Sequence, residues 1–162
     1  RPGLYCGLIL LTDINTGAVW TTNAVTTADT LTIRRASVFQ SAAAAGTLQV
    51  CTSRIAGALI SDGSACTAPP AGQLDNLIVD TYYIDRNSAQ QAGLPSLRRK
   101  TLTTAGGVPQ FRDQEIIAGV EDLQLQFGVD PTGVTGVATR YVNPNGVPGA
   151  RMANCACGGR SP

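Results

Sequence analysis

The apolar residues of this chain occur in short alternating or continuous runs, which is the pattern of β-strands. In Asp29–Ala36, Leu31 and Ile33 face one way and polar residues face the other, so this segment predicts a half-buried strand. Leu77–Ile84 is a β-branched and aromatic run with strong strand propensity. Leu97–Leu102 predicts its hairpin partner, joined to it by a long polar tip.

The strictest alternation lies in Leu123–Val129, where apolar residues alternate with glutamine and glycine. This period of two predicts a strand with one solvated face. Glu115–Gly119 leads into it as a short extended or turn segment, and Val137–Val142 is the last strand that the pattern predicts. We expect the apolar side chains of this region to be buried or at an interface, namely those of Val120, Leu123, Leu125 and Phe127.

Three shorter apolar runs predict further strands, at Tyr5–Leu11, Leu48–Cys51 and Ile55–Ile60. The small residues of Ser41–Ala45 are compatible with one helical turn. The chain contains no internal repeat and no segment with the composition of an interdomain linker. We therefore predict one antiparallel, β-rich domain over residues 1–162, with 147–162 as a candidate disordered tail.

The composition is consistent with such a domain and argues against some classes of binding partner. Of 162 residues, 43% are hydrophobic and only 14% are charged, against about 25% charged in an average soluble domain. The formal net charge of +1 gives no support for nucleic-acid or anionic-membrane binding by bulk charge. No apolar run approaches the ~20 residues that a membrane-spanning helix needs.

The five cysteines are spaced along the chain without a CxxC pair, so zinc ribbons and thioredoxin-type chemistry are unsupported. Cys51 and Cys66 bracket a short hairpin-like segment, which makes them one possible disulfide pair. A bridge there would close a loop of about 15 residues and contribute about 3 kcal/mol to stability. The sequence alone does not decide which of the five cysteines pair. Low charge and spaced cysteines favour an oxidising compartment outside the cytoplasm.

Catalytic machinery is not visible in the sequence. Histidine is absent, which excludes Ser-His-Asp and Cys-His catalysis as well as His-ligated zinc. The adjacent carboxylates of Glu121 and Asp122 would point to opposite faces of a strand instead of converging on a cleft. We therefore predict no enzyme activity, no catalytic residue, no metal site, no cofactor and no small-molecule substrate.

Three segments, in order, resemble the PilW family of type IV pilus-assembly proteins, a class of minor pilin. Asp29–Ala36 is similar to the family's "sDxLxVRya" strand, and Leu77–Asp85 followed by Pro95–Arg99 is similar to its "YYI…PSLxR" hairpin. Glu115–Asp130 resembles the most specific block, "E-ϕ-ϕ-x-G-V-E-D-ϕ-Q-ϕ-Q-[YF]-G-V-D". The resemblance covers about residues 29–142, and residues 1–28 match only loosely.

The centre of the third block is the family-motif strand that the resemblance identifies. Its ten residues are Gly119, Val120, Glu121, Asp122, Leu123, Gln124, Leu125, Gln126, Phe127 and Gly128. The family pattern continues with a further alternating strand, which Met152–Pro162 does not show. We expect this departure to leave an open sheet edge, where another chain could pair.

The resemblance implies an α+β, β-rich fold: a type IV pilin-like head with an antiparallel β-sheet, whose N-terminal transmembrane helix is absent from this chain. It implies a non-enzymatic structural subunit that helps to prime pilus assembly, sits at the filament tip and supports twitching motility, adhesion and DNA uptake. The implied partners are other minor pilins, the major pilin and, through the absent helix, the inner membrane. The implied location is the bacterial periplasm, followed by incorporation into the extracellular pilus.

Two other functions remain open from the sequence. One is a secreted β-rich binding or adhesion module, although aromatic residues make up only 5% of the chain. The other is a pseudopilin of a type II secretion system, which the sequence pattern does not separate from a minor pilin.

Overall fold

The computed structural model describes residues 8–11, 23–67, 72–130 and 137–143, with backbone alone at 8–11. The predicted tail at 147–162, and with it the expectation about the last family strand, lies outside the described residues.

The described residues contain nine β-strands and no α-helix. Their bounds are β1 Leu8–Leu11, β2 Leu31–Ala36, β3 Ala45–Thr52, β4 Gly57–Asp62, β5 Gln73–Asp85, β6 Ser96–Ala105, β7 Val108–Ala118, β8 Phe127–Val129 and β9 Arg140–Val142. Strands β1 to β7 form one antiparallel sheet, and β8 and β9 form a separate two-stranded ribbon. The β-rich antiparallel architecture expected from the sequence is therefore confirmed for the described residues.

The long strand β5 organises the large sheet. One of its edges pairs with β2, which pairs in turn with β1. The first part of β5 pairs with β3, beside which β4 lies, and its last part pairs with β6, beside which β7 lies. The hydroxyl of Thr104 donates to the carbonyl of Gly46 at 2.9 Å, so the β6–β7 hairpin lies against the start of β3.

The turn between β6 and β7 depends on glycine. Gly106 and Gly107 have φ angles of 59° and 75°, as the two central residues of a type I′ hairpin turn require. A Cβ atom on Gly46, whose φ is 80°, would lie 2.3 Å from the carbonyl oxygen of Gly107. The close approach of the two backbones therefore requires glycine at position 46.

The most buried side chains lie along β5 and the strands beside it. Ile84 is fully buried, and Leu74, Val79, Tyr83 and Cys51 are nearly so. Cys51 is joined to Cys66 by a disulfide bond, so the structure contains the pairing that the sequence left as one possibility.

Gln49 is a fully buried polar residue that organises the loop between β2 and β3. Its amide nitrogen donates to the carbonyl of Ala42 at 2.8 Å and to Asn76 Oδ1 at 2.9 Å, and its oxygen accepts the Ala44 N–H at 3.0 Å. These bonds satisfy the buried amide. They also hold residues 41–44 in an irregular conformation, so the predicted helical turn is wrong.

The structure confirms most of the predicted strands with small shifts at their ends. The strand predicted over Leu123–Val129 is shorter than expected, because only Phe127–Val129 pairs, with β9. In the family-motif strand, Gly119 is a turn residue and Val120–Gln126 lie outside every strand. Val108–Ala118 is instead one continuous strand, although only its end was expected to be extended.

Candidate interaction site

Four polar side chains meet on one face of β5, β6 and β7, and we call them the charged cluster: Tyr83, Arg98, Asp113 and Glu115. Strand register explains their meeting. Tyr83 lies opposite Arg98, and Arg98 lies opposite Glu115, so these side chains point to the same face. Asp113 lies two residues before Glu115 in β7 and shares that face.

Direct contacts join the four side chains of the charged cluster. The Tyr83 hydroxyl donates to Asp113 Oδ2 at 2.6 Å, and Arg98 Nε donates to Asp113 Oδ1 at 3.0 Å. Arg98 Nη1 reaches Glu115 Oε2 at 3.5 Å. Burial and the hydrogen bond to the Asp113 carboxylate raise the pKa of Tyr83 well above its ordinary value. The phenol is therefore a fixed neutral donor at neutral pH.

Glu115 connects the charged cluster to the loop between β5 and β6. Its carboxylate accepts the hydroxyl of Ser88 at 2.8 Å and the backbone N–H of Ala89. The Ala89 N–H is the largest of several interactions that lower the pKa of Glu115. The side chain of Glu115 is only 5% exposed, so this carboxylate is held almost out of water by the loop above it.

The family-motif segment, residues 119–128, continues from the end of β7. The N–H of Gly119 donates to the carbonyl of Pro95 at 2.7 Å, just before β6 begins. Gly119 has a φ of 82°, a left-handed conformation that glycine adopts without strain. The motif glycine therefore turns the chain away from β7.

Asp29 joins the middle of the motif segment to the residues just before β2. The N–H of Asp29 donates to the carbonyl of Leu123 at 2.8 Å, and the N–H of Leu125 donates to Asp29 Oδ2 at 2.8 Å. Gln124 also donates through its side chain to the carbonyl of Thr27 at 3.2 Å. Side-chain and backbone bonds to residues 27–29 thus replace a regular strand ladder in this part of the motif.

The alternation seen in the motif nevertheless persists in the exposure of its side chains. Half-buried positions in this segment are Val120, Leu123, Leu125 and Phe127, and exposed ones are Glu121, Asp122, Gln124, Gln126 and Gly128. The expected apolar side thus faces the protein, although less completely than a core strand. The functional role that the resemblance gives to these residues stays a prediction.

Within the described ranges, no three His, Cys, Asp or Glu residues are grouped so that they could hold a metal ion. No helix in the described part of the chain is long and apolar enough to cross a membrane.

Sequence patterns alone did not identify the charged cluster. Its members are separated by up to 32 positions, and only the register of three strands brings them together. The available signal was that Tyr83, Arg98 and Glu115 all lie within the segments that resemble the family.

Comparison with known families gives a match to part of the chain. The family model described as Type IV Pilus-assembly protein W matches residues 81–155, which is just under half of the chain. Neither the curated proteins nor the solved structures give a significant match. The matched family implies a role in type IV pilus assembly, with association to the cell envelope or pilus and contacts to other pilus components. Residues 81–155 are therefore similar to the PilW family of type IV pilus-assembly proteins, which supports the resemblance found in the sequence.

Proposed function

We propose that this chain is the head domain of a minor pilin, a non-enzymatic structural subunit that helps to prime pilus assembly and sits at the filament tip. The observation that carries the proposal is the family match over residues 81–155. This stretch contains β6 to β9, the motif segment, and all four residues of the charged cluster. In this proposal, residues 1–162 form a single pilin-like head of the α+β class.

Exposed apolar side chains support a role in subunit contacts. Large apolar residues with at least 49% of their surface exposed occur on the β2–β3 loop, the β3–β4 hairpin and β7. They include Val38, Phe39, Ile55, Leu59, Val108, Ile116 and Ile117. Exposed apolar surface is characteristic of protein–protein contact sites. A subunit packed among other pilins would cover such residues.

The proposal includes a location and partners. The head lies in the periplasm, anchored to the inner membrane, before it enters the extracellular pilus. Its partners are other minor pilins and the major pilin. Twitching motility, adhesion and DNA uptake depend on the head through the assembled filament. For DNA uptake in particular, a net charge of +1 gives the head no bulk attraction for DNA.

Deletion of the gene in its source organism tests the assembly role. We expect surface pili, counted by electron microscopy, to be lost or greatly reduced, and twitching zones to shrink. Complementation with the complete gene should restore both. Unchanged piliation would overturn the proposal, and a simultaneous loss of type II secretion with normal pili would identify a pseudopilin instead.

Labelling tests the position in the filament. Gold-conjugated antibodies against the 162-residue chain should bind at pilus ends and leave the shafts unlabelled. Label along the whole shaft would exclude a tip position. Label on intact cells that lack pili would favour a secreted adhesion module.

A further inference from the structure

Strand β4, Gly57–Asp62, forms an edge of the large sheet with exposed apolar side chains. It pairs with β3 on one side, and no other described strand lies along its second side. Five of its six residues are exposed, and Ile60 is half-buried. Leu59 exposes 64% of its surface, and Ile55, in the turn before the strand, exposes 79%. Among the described residues, the second side of β4 is therefore accessible to another strand.

Strand β7 shows how an edge of this sheet is protected against further pairing. Among the described strands it pairs only with β6. It contains Pro109, which has no N–H to donate, and the charged residues Arg112, Asp113 and Glu115. Proline and charge are the usual devices that keep an edge strand from pairing with another chain. By contrast, β4 contains no proline, and its one charged residue, Asp62, stands at its end.

The pairing with β3 determines which backbone groups of β4 point outward. The N–H of Ser53 donates to the carbonyl of Ala56, so these residues are a hydrogen-bonded pair at the hairpin turn. Bonded and non-bonded pairs alternate along antiparallel strands. In the register of β3 and β4, the N–H and C=O groups of Gly57 and Leu59 therefore point away from β3. By the same alternation, Ser61 continues this outward row.

The outward row is symmetric about Leu59, which makes it complementary to itself. When two copies of β4 run antiparallel with Leu59 opposite Leu59, Gly57 of each copy lies opposite Ser61 of the other. All three residues present their N–H and C=O groups to the other copy, so each pair can exchange two hydrogen bonds. The two exposed Leu59 side chains then lie side by side at the twofold axis and cover one another.

The charges that flank β4 favour the same arrangement. Arg54 lies in the turn before the strand and Asp62 at its other end, and both are exposed. In an antiparallel pair, Arg54 of each copy comes to the end at which Asp62 of the other copy lies. Opposite charges then meet at both ends, whereas a parallel pair would bring like charges together. This charge complementarity favours a second copy of the same strand as the occupant of the edge.

We propose that β4 is a self-association edge, through which two copies of this chain form a twofold dimer with one sheet continuous across both. The same surface of each copy makes the contact, so the pair closes on itself and does not extend into a fibre. The proposal goes beyond the proposed function and does not depend on it, because a head that stays monomeric could still serve in pilus assembly.

Sedimentation of the purified 162-residue chain over a range of concentrations tests the association. We expect a reversible equilibrium between monomer and dimer. A chain that stays monomeric at every concentration would overturn the proposal. A series of larger species that does not stop at the dimer would overturn the closed twofold contact.

Two lysine variants with similar exposure test the location of the contact. Leu59→Lys brings two like charges together at the twofold axis and should weaken dimerisation by about tenfold or more. Val108→Lys makes a comparable change on the β7 edge, at a residue that is 61% exposed against 64% for Leu59, and should dimerise normally. Urea unfolding of both variants checks that the fold is intact. Equal dimerisation by the two variants would overturn β4 as the contact.

Exchange of the two charges tests the antiparallel orientation. Arg54→Glu and Asp62→Arg should each weaken dimerisation by about threefold, because each brings like charges together at both ends of the contact. The double variant Arg54→Glu/Asp62→Arg should regain most of the lost affinity, although the length of β4 separates the two positions within one chain. A double variant that dimerises no better than the single ones would overturn the antiparallel pairing.

Discussion

Asp29 and Leu125 are joined across 96 positions of sequence, because the Leu125 N–H donates to the Asp29 carboxylate at 2.8 Å. The N–H of Asp29 donates in turn to the carbonyl of Leu123. Asp29, two residues before β2, thus both accepts a hydrogen bond from the motif segment and donates one to it. Two stretches that resemble the same family, Asp29–Ala36 and Glu115–Asp130, are therefore in direct contact.

Removal of this carboxylate should loosen the motif segment. We expect Asp29→Ala to lower the free energy of unfolding by about 1–2 kcal/mol, because the Leu125 N–H loses a charged acceptor in a half-buried place. Asp29→Asn, which keeps a carbonyl oxygen, should lose less. Urea denaturation of the three proteins measures the difference. Equal midpoints for the wild type and Asp29→Ala would mean that the contact adds nothing to stability.

The turn at Gly119 should not tolerate a side chain. Gly119 has a φ of 82°, where an L-residue with a Cβ costs about 1–2 kcal/mol. Gly119→Ala should therefore be destabilised by about that amount, even though a Cβ there would meet no other atom. Gly57→Ala is the matched control, since its φ is not positive and its Cβ would make ordinary contacts at 3.7 Å. Similar unfolding free energies for the two variants would rule out a conformational requirement at 119.

The alternation of apolar residues predicted the central strands well. Leu31 and Ile33 in β2, and the apolar run from Leu77 in β5, lie in strands as their local pattern predicted, although Thr32 is more buried than either Leu31 or Ile33. The same signal misled at Leu123–Val129. The side chains there do alternate between half-buried and exposed. However, the backbone of Leu123 and Leu125 bonds to the N–H and the carboxylate of Asp29 instead of to a neighbouring strand, and no periodicity predicts such a partner.

Strand β7 and the charged cluster could not be predicted from the sequence, for a different reason. From Val108 to Gln114, polar residues occupy both faces of the strand, so no period-two pattern marks it. It is extended because the Gly106–Gly107 turn folds it back along β6. Asp113 finds Tyr83 only through that pairing. Such long-range register is fixed by the whole sheet and leaves no local trace in the sequence.

The phenol of Tyr83 should make stability fall at alkaline pH. Its pKa is raised in the folded chain, so the neutral form stabilises the fold fully below the ordinary pKa of 10.0. That stabilisation is lost as the pH rises from there towards the raised pKa. We expect Tyr83→Phe to be less stable than the wild type by about 1–2 kcal/mol at pH 7, and to lose less further stability above pH ~10.

Tyr82→Phe provides the comparison for Tyr83→Phe, since it removes a phenol that lies opposite Arg99 on the other face of β5. Urea unfolding at neutral and alkaline pH separates the two variants. The same alkaline slope in Tyr83→Phe and the wild type would contradict the role given to the Asp113 contact.

The carboxylate of Glu115 should act in the opposite pH range. Its pKa is lowered in the folded chain, first through the Ala89 N–H, so its stabilisation is complete above the ordinary pKa of 4.5. It is lost as the pH falls from there through the lowered pKa. Glu115→Gln should therefore have a flatter stability profile below about pH 5, with Glu121→Gln as the exposed control. A wild-type slope retained in Glu115→Gln would assign the acid sensitivity to other carboxylates.

The disulfide bond between Cys51 and Cys66 should contribute substantially to the stability of the fold. It joins positions 15 residues apart, and a loop of that size is worth about 3 kcal/mol in the chain-entropy model. We expect the double variant Cys51→Ala/Cys66→Ala to unfold at lower urea concentration by roughly that free energy. A reductant should lower wild-type stability by a similar amount and leave the double variant unchanged. Three further cysteines are present in the chain, so the effect of reductant on the double variant shows whether Cys51–Cys66 is the disulfide that matters. A double variant still destabilised by reductant would mean that another disulfide supports the fold.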